Sequence, residues 1–244
     1  MTDRLLSIHL LSVVTALLFV ALVAIARCGL APHNSLPHRP QAPLPLTSVG
    51  TNPGVQMQFS WKARQLACIF DPTGTGEGLQ ATLDDVGVVN TIDSFAFIPT
   101  YAALLLGLGA LGFAAQERRR TWLVLAIAAI VSVVAVADWL ENIGILEMTR
   151  HFAGNPMHHA HLAAPDLDAV DVSESAIVKW SALAVVLGLI GAQFAMARRW
   201  WSWLLAVAVC ATAVLVGSML VMYARERLTC AEPAAASVER TPCG

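Results

Sequence analysis

Residues 117–146 read ERRRTWLVLAIAAIVSVVAVADWLENIGIL, and this stretch decides the class of the chain. Three consecutive arginines, Arg118, Arg119 and Arg120, give way at Trp122 to an apolar run with no charged residue before Asp138. Crossing a hydrocarbon core about 30 Å thick takes about 20 helical residues, and the run from Trp122 to Leu146 is long enough. A basic cluster followed by a tryptophan is the flank expected where a membrane helix leaves the cytoplasm.

Working outward, four further stretches meet the same criterion: Leu5 to Ala26, Phe95 to Ala115, Ala176 to Ala197, and Trp200 to Ala224. The fold predicted is an all-α membrane protein, a bundle of about five transmembrane helices. Composition agrees, because only 13% of residues are charged, half the share of a soluble domain, and 57% are hydrophobic. The partner implied is the lipid bilayer. No basic stripe with interleaved aromatics occurs, which excludes nucleic acid. Arginine outnumbers lysine 13 to 2, the bias of a GC-rich bacterial genome, so the membrane expected is the bacterial inner membrane.

Short basic turns stay cytoplasmic, and the chain has a second one at Arg198 and Arg199, two crossings after the first. Both place the N-terminus inside and the C-terminus outside. Trp200, Trp201 and Trp203 flank the second turn as interfacial aromatics. The first apolar stretch is either an anchor or a signal peptide cleaved near Ala24-Ile25-Ala26, which would leave four helices; its length favours the anchor.

Four segments follow from this topology. Residues 1–27 are the anchor or signal peptide, and 28–90 an external Pro-rich linker and amphipathic segment. Residues 91–225 are a four-helix transmembrane bundle with an external His-rich loop at 147–175, and 226–244 an external, disordered tail. Six prolines between 30 and 56 make an extended spacer, and Val55 to Phe70 is apolar enough for an interfacial amphipathic helix. The turn Asp71-Pro72-Thr73-Gly74-Thr75-Gly76 lacks the Gly-Lys-Ser/Thr ending of a phosphate loop. Cys28, Cys68, Cys230 and Cys243 all fall on the oxidising side and are candidates for one or two disulfides.

Charged groups in hydrocarbon are costly, so those within the membrane helices carry the functional information. Asp138 lies 16 residues beyond Trp122, about 24 Å along the helix, and Glu141 lies roughly 28 Å along it. Asp93 stands at the outer mouth of the preceding helix, with Tyr101 about 12 Å deeper, and Lys179 in the first turns of the fourth. Asp138, Glu141 and Asn142 share one helical stripe, as do Asp93, Phe97 and Tyr101, with Pro99 expected to kink that helix. Lys179 is one of two lysines in the chain, which suggests a compact ammonium placed among carboxylates rather than one that snorkels to the surface. Three carboxylates and one ammonium carry −2 if all are ionised, so a proton, a cation, or a basic residue such as Arg150 or Arg225 is expected to complete the cluster. The alternative is a network that only fixes helix packing.

A second candidate is the external loop. His151, His158, His159 and His161 could hold copper or zinc in an oxidising compartment, although no rigid frame such as H-E-x-x-H organises them. No other cofactor is implied.

Three motifs, Asp93-Phe97-Tyr101, Asp138-Glu141-Asn142 and Lys179-Trp180, resemble those of a group of uncharacterised bacterial integral-membrane proteins. That group carries D-x-x-x-F-x-x-x-Y, D-x-x-E-N and Lys-aromatic helices after an external Phe-rich segment. The resemblance covers Val55 to Trp180, about half the chain, and departs from the group's F-E-L-A wording at Phe59-Ser60-Trp61-Lys62. It implies a membrane-helix fold and no established activity. Three function classes follow: a protein binding a proton, cation or polar ligand at the cluster; an assembly protein contacting a membrane or periplasmic partner; and a metal-binding or lipid-modifying enzyme. With no G-x-S-x-G and no zincin motif, the enzyme has least support.

Overall fold

The computed structural model describes residues 2–34, 53–60, 69–70, 79–116, 120–154, 165–197 and 200–229. The described residues are helical apart from helix ends and short turns, and no strand occurs among them. Helix α1 (Thr2–Ala24) runs on through a π-helical stretch (Ile25–Leu30) to a last turn at Ala31–Asn34. The short α2 (Pro53–Phe59) is followed by α3 (Leu79–Ile92), a π-turn (Asp93–Phe97) and α4 (Ile98–Ala115). Then come α5 (Thr121–Gly154), α6 (Pro165–Met196) and α7 (Trp200–Thr229). Five helical stretches are long and apolar enough to cross a membrane: Leu5–Leu30, Leu79–Ala115, Thr121–Ala153, Asp171–Met196 and Trp200–Tyr223. The chain is a multi-pass membrane protein.

Two of these helices outrun the bilayer. With 34 residues, α5 is about 51 Å long, well beyond a core of about 30 Å. The second membrane helix begins at Leu79 rather than near Phe95, so part of the segment expected as external linker is the first half of that helix. Of the amphipathic stretch Val55 to Phe70, the helix α2 ends at Phe59, and residues 61–68 lie outside the described residues. Likewise α7 continues to Thr229, a few residues into the expected tail, and residues 230–244 lie outside the description.

The antiparallel pair α5 and α6 forms the centre, with α7 against α6 and α1 against α4. Gly144 brings α5 and α6 together, because a Cβ there would meet the Val172 methyl at 2.5 Å. Among the described residues, two larger apolar clusters lie towards opposite ends of the bundle and a smaller one joins Phe59 to Tyr223. Leu105, Ile127, Val131, Val186, Ile190 and Phe194 pack at the end where the basic turns lie. Leu83, Val86, Ile145, Met148, Phe152 and Val172 pack at the opposite end, joined by Met57, Ile69 and Phe70 from the segment between the first two membrane helices. Asp138 and Glu141 on α5 and Lys179 on α6 fall between the two larger clusters.

Proline explains how α3 joins α4. In the π-turn the Ile98 amide donates to the Asp93 carbonyl, five residues back. The next carbonyl, that of Ser94, would need the amide of Pro99, which has no hydrogen. One backbone acceptor is left over. The indole Nε1 of Trp139 on α5 fills the gap at 3.0 Å. Rather than only bending the helix, Pro99 supplies α5 with a docking point.

Candidate functional site

Docking Trp139 on Ser94 fixes the height of α5, and three positions further along Asn142 meets the same turn. Its Nδ2 donates to Asp93 Oδ2 at 2.7 Å and to Ser94 Oγ at 3.0 Å. One turn nearer the start of α5, Asp138 is held from two sides. The Tyr101 hydroxyl donates to its Oδ2 at 2.8 Å, and Lys179 Nζ to its Oδ1 at 2.8 Å. Glu141 completes the group, with Oε2 2.7 Å from Lys179 Nζ, an ion pair without hydrogen-bond alignment. All six residues singled out from the sequence therefore meet at one level, where the second, third and fourth membrane helices face one another.

The site is closed. Asp138 and Lys179 are each 5% exposed, Asn142 4% and Glu141 0%. Lys179 does not snorkel to the surface; its ammonium points between two carboxylates and lies 5.3 Å from the centre of the Trp180 ring. The apolar cluster around Ile145, Met148 and Val172 separates the charges from the end of α5 at Gly154 and the start of α6 at Pro165. Glu141 Oε1 is buried and has no hydrogen-bond partner. Arg150, a candidate to complete the charge, is exposed instead, and the Arg225 side chain lies outside the description.

The short helix α2 braces this level. Trp180 Nε1 donates to Gln58 Oε1 at 3.2 Å, and Phe59 stacks on Tyr223 with ring centroids 4.5 Å apart. Through these contacts α2 is clamped on α6 and α7, next to the residue that follows Lys179.

Comparison with protein-family models, with curated proteins and with solved structures finds no match to this chain. The likeness noted from the sequence therefore rests on its three motifs alone.

The second candidate does not assemble among the described residues. His151 is exposed at the end of α5, edge-on to Phe152, and His158, His159 and His161 lie outside the description. No group of three or more His, Cys, Asp or Glu side chains among the described residues is arranged to hold a metal ion. Of the disulfide candidates, Cys28 is an exposed free thiol, while Cys68, Cys230 and Cys243 lie outside the description.

Ser94, Trp139, Gln58 and the Phe59–Tyr223 pair were not singled out from the sequence. For Trp139 a partial signal existed: Pro99 inside a membrane helix leaves one carbonyl of the preceding turn to be satisfied, by α-helical spacing that of Phe95, which the π-turn shifts to Ser94. For the brace by α2 there was none, because Gln58 and Trp180 are 122 positions apart.

Proposed function

We propose that this is a multi-pass protein of the bacterial inner membrane whose buried cluster binds one cation, in the simplest case a proton. The observation that carries the reading is the Glu141 carboxylate. It is fully buried, it shares its ammonium with Asp138, and one of its oxygens meets no donor. With Asp93 the group counts three carboxylates against one ammonium, and among the described residues no second cation pairs with it. Uncompensated charge at low dielectric costs several kcal/mol per ion, and a bound cation offsets part of that cost. The arginine turns support an N-terminus in the cytoplasm and a C-terminus outside, with the cluster towards the outer face.

Infrared difference spectra of the protein in phosphatidylcholine nanodiscs, taken between about pH 4 and about pH 9, test this directly. The expected result is a protonated-carboxyl band that Glu141→Gln removes and that sodium or potassium chloride leaves in place. Carboxylate bands moved by one of these salts, at constant pH, identify a metal cation as the occupant. Spectra that respond to neither overturn the proposal.

A second reading is that the group only sets helix register. The hydrogen bonds Tyr101–Asp138, Asn142–Asp93 and Trp139–Ser94 favour it, since all three tie the second membrane helix to α5 near one level. On that reading the external parts of the chain would contact a protein partner, and the infrared spectra would show no titrating group at Glu141.

A further inference from the structure

On the lipid-facing side, α5 and α6 leave a groove of about 480 Å³, within the range of ligand pockets. Its half nearer the bilayer centre is apolar, formed by Leu140, Ile143 and Val178, all exposed on the bundle surface. Its mouth, towards the end of α5 and the start of α6, carries Glu147, Asp171 and Glu174. These three side chains are exposed, and none has an ion-pair partner among the described residues. The sequence deepens the imbalance: from Glu147 to Val178 the chain holds five carboxylates and one arginine, Arg150.

We propose that this groove binds an amphiphile with an ammonium headgroup, its chain along Leu140, Ile143 and Val178 and its cation among the three carboxylates. The argument is charge complementarity joined to depth. The apolar half opens to lipid, so the occupant arrives from the bilayer, and the acidic mouth falls where a headgroup would sit. A phospholipid would bring its phosphate against the same carboxylates, which favours a simple long-chain amine. The groove shares α5 and α6 with the buried cluster but none of its six residues, so this inference stands or falls apart from the cation bound there.

Three spin-labelled stearyl probes, alike except for an ammonium, a methyl-ester or a carboxylate head, measure the preference in phosphatidylcholine bilayers containing the protein. The ammonium probe should be immobilised more than the ester by about fivefold in relative affinity, the contribution of roughly one favourable charge contact at a bilayer surface. The triple variant Glu147→Gln, Asp171→Asn, Glu174→Gln should remove the preference, while Asp84→Asn, an exposed carboxylate on α3 outside the groove, should keep it. Ser175→Phe, which fills the groove and leaves its charge intact, should also lower binding of the ammonium probe. Equal immobilisation of ammonium and ester probes overturns the proposal, as does a preference that persists in both the triple and the Ser175→Phe variants. A polypeptide cross-linked at Ile143→Cys in native membranes would overturn it too, by showing that a partner helix fills the groove.

Discussion

The indole Nε1 of Trp139 donates to the carbonyl oxygen of Ser94 at 3.0 Å, and that carbonyl is the one Pro99 leaves without a helical partner. The two are therefore energetically coupled although Pro99 and Trp139 are 40 positions apart. Trp139→Phe removes the donor and leaves a backbone acceptor facing lipid, at a cost of about 1–3 kcal/mol. In a Pro99→Ala background the helix can bond that carbonyl itself, so Trp139→Phe should cost clearly less there. Thermal unfolding of the two single variants and the double in detergent measures the difference; strict additivity would mean that the indole bond does not depend on the proline.

Lys179 is the common partner of Asp138 and Glu141, so removing it leaves two buried carboxylates without a counter-charge. Lys179→Met should destabilise the protein by about 3–5 kcal/mol. Adding Asp138→Asn should restore part of the loss, because one of the stranded charges disappears. The readout is again the melting temperature of single and double variants in detergent. A double variant no more stable than additivity requires would show that Lys179 and Asp138 contribute independently.

Phe59 is fully buried against Tyr223, and its helix has no other aromatic anchor. Phe59→Ala should release α2 from α6 and α7, at a cost of about 3–5 kcal/mol. Limited proteolysis reports this locally: cleavage between residues 53 and 60 should rise sharply while α5 and α6 remain resistant. Unchanged cleavage would mean that the Trp180–Gln58 bond and the buried Met57 hold the segment without the ring contact.

Orientation has its own test. Arg120→Cys, in a variant lacking native cysteines, should react with an impermeant maleimide only after the membrane is opened. The native thiol of Cys28, exposed near the opposite end of the bundle, should react in intact cells once the other four cysteines are replaced. The reverse pattern would invert the proposed topology.

Much of the fold could be read from the sequence because lipid leaves few options: long apolar runs must be helices, and their charges must meet each other. The spacing of Asp138, Glu141 and Asn142 on one stripe, and the rarity of lysine, marked the group that Lys179 joins. What the sequence hid was the π-turn. It adds a residue to the turn between Asp93 and Phe97, so a spacing of four does not describe one straight face. Asp93 meets Asn142 while the deeper Tyr101 meets Asp138, one turn away on α5. The early start at Leu79 was hidden for a different reason. Asp84 and Asp85 break the apolar run there, and hydropathy does not distinguish a protruding polar helix from a loop.

The ammonium held between two acids also bears on how the chain enters its membrane. Released alone into lipid, α6 would carry Lys179 unpaired, and α5 would carry Asp138 and Glu141. Each such charge costs about 3 kcal/mol on insertion scales when it lies at a helix centre, and less towards the interface. If α5 waits beside the insertion machinery until α6 emerges, the ion pairs close before either helix meets hydrocarbon. The hairpin, rather than the single helix, is then the unit of insertion, and Lys179 is the residue that licenses its departure.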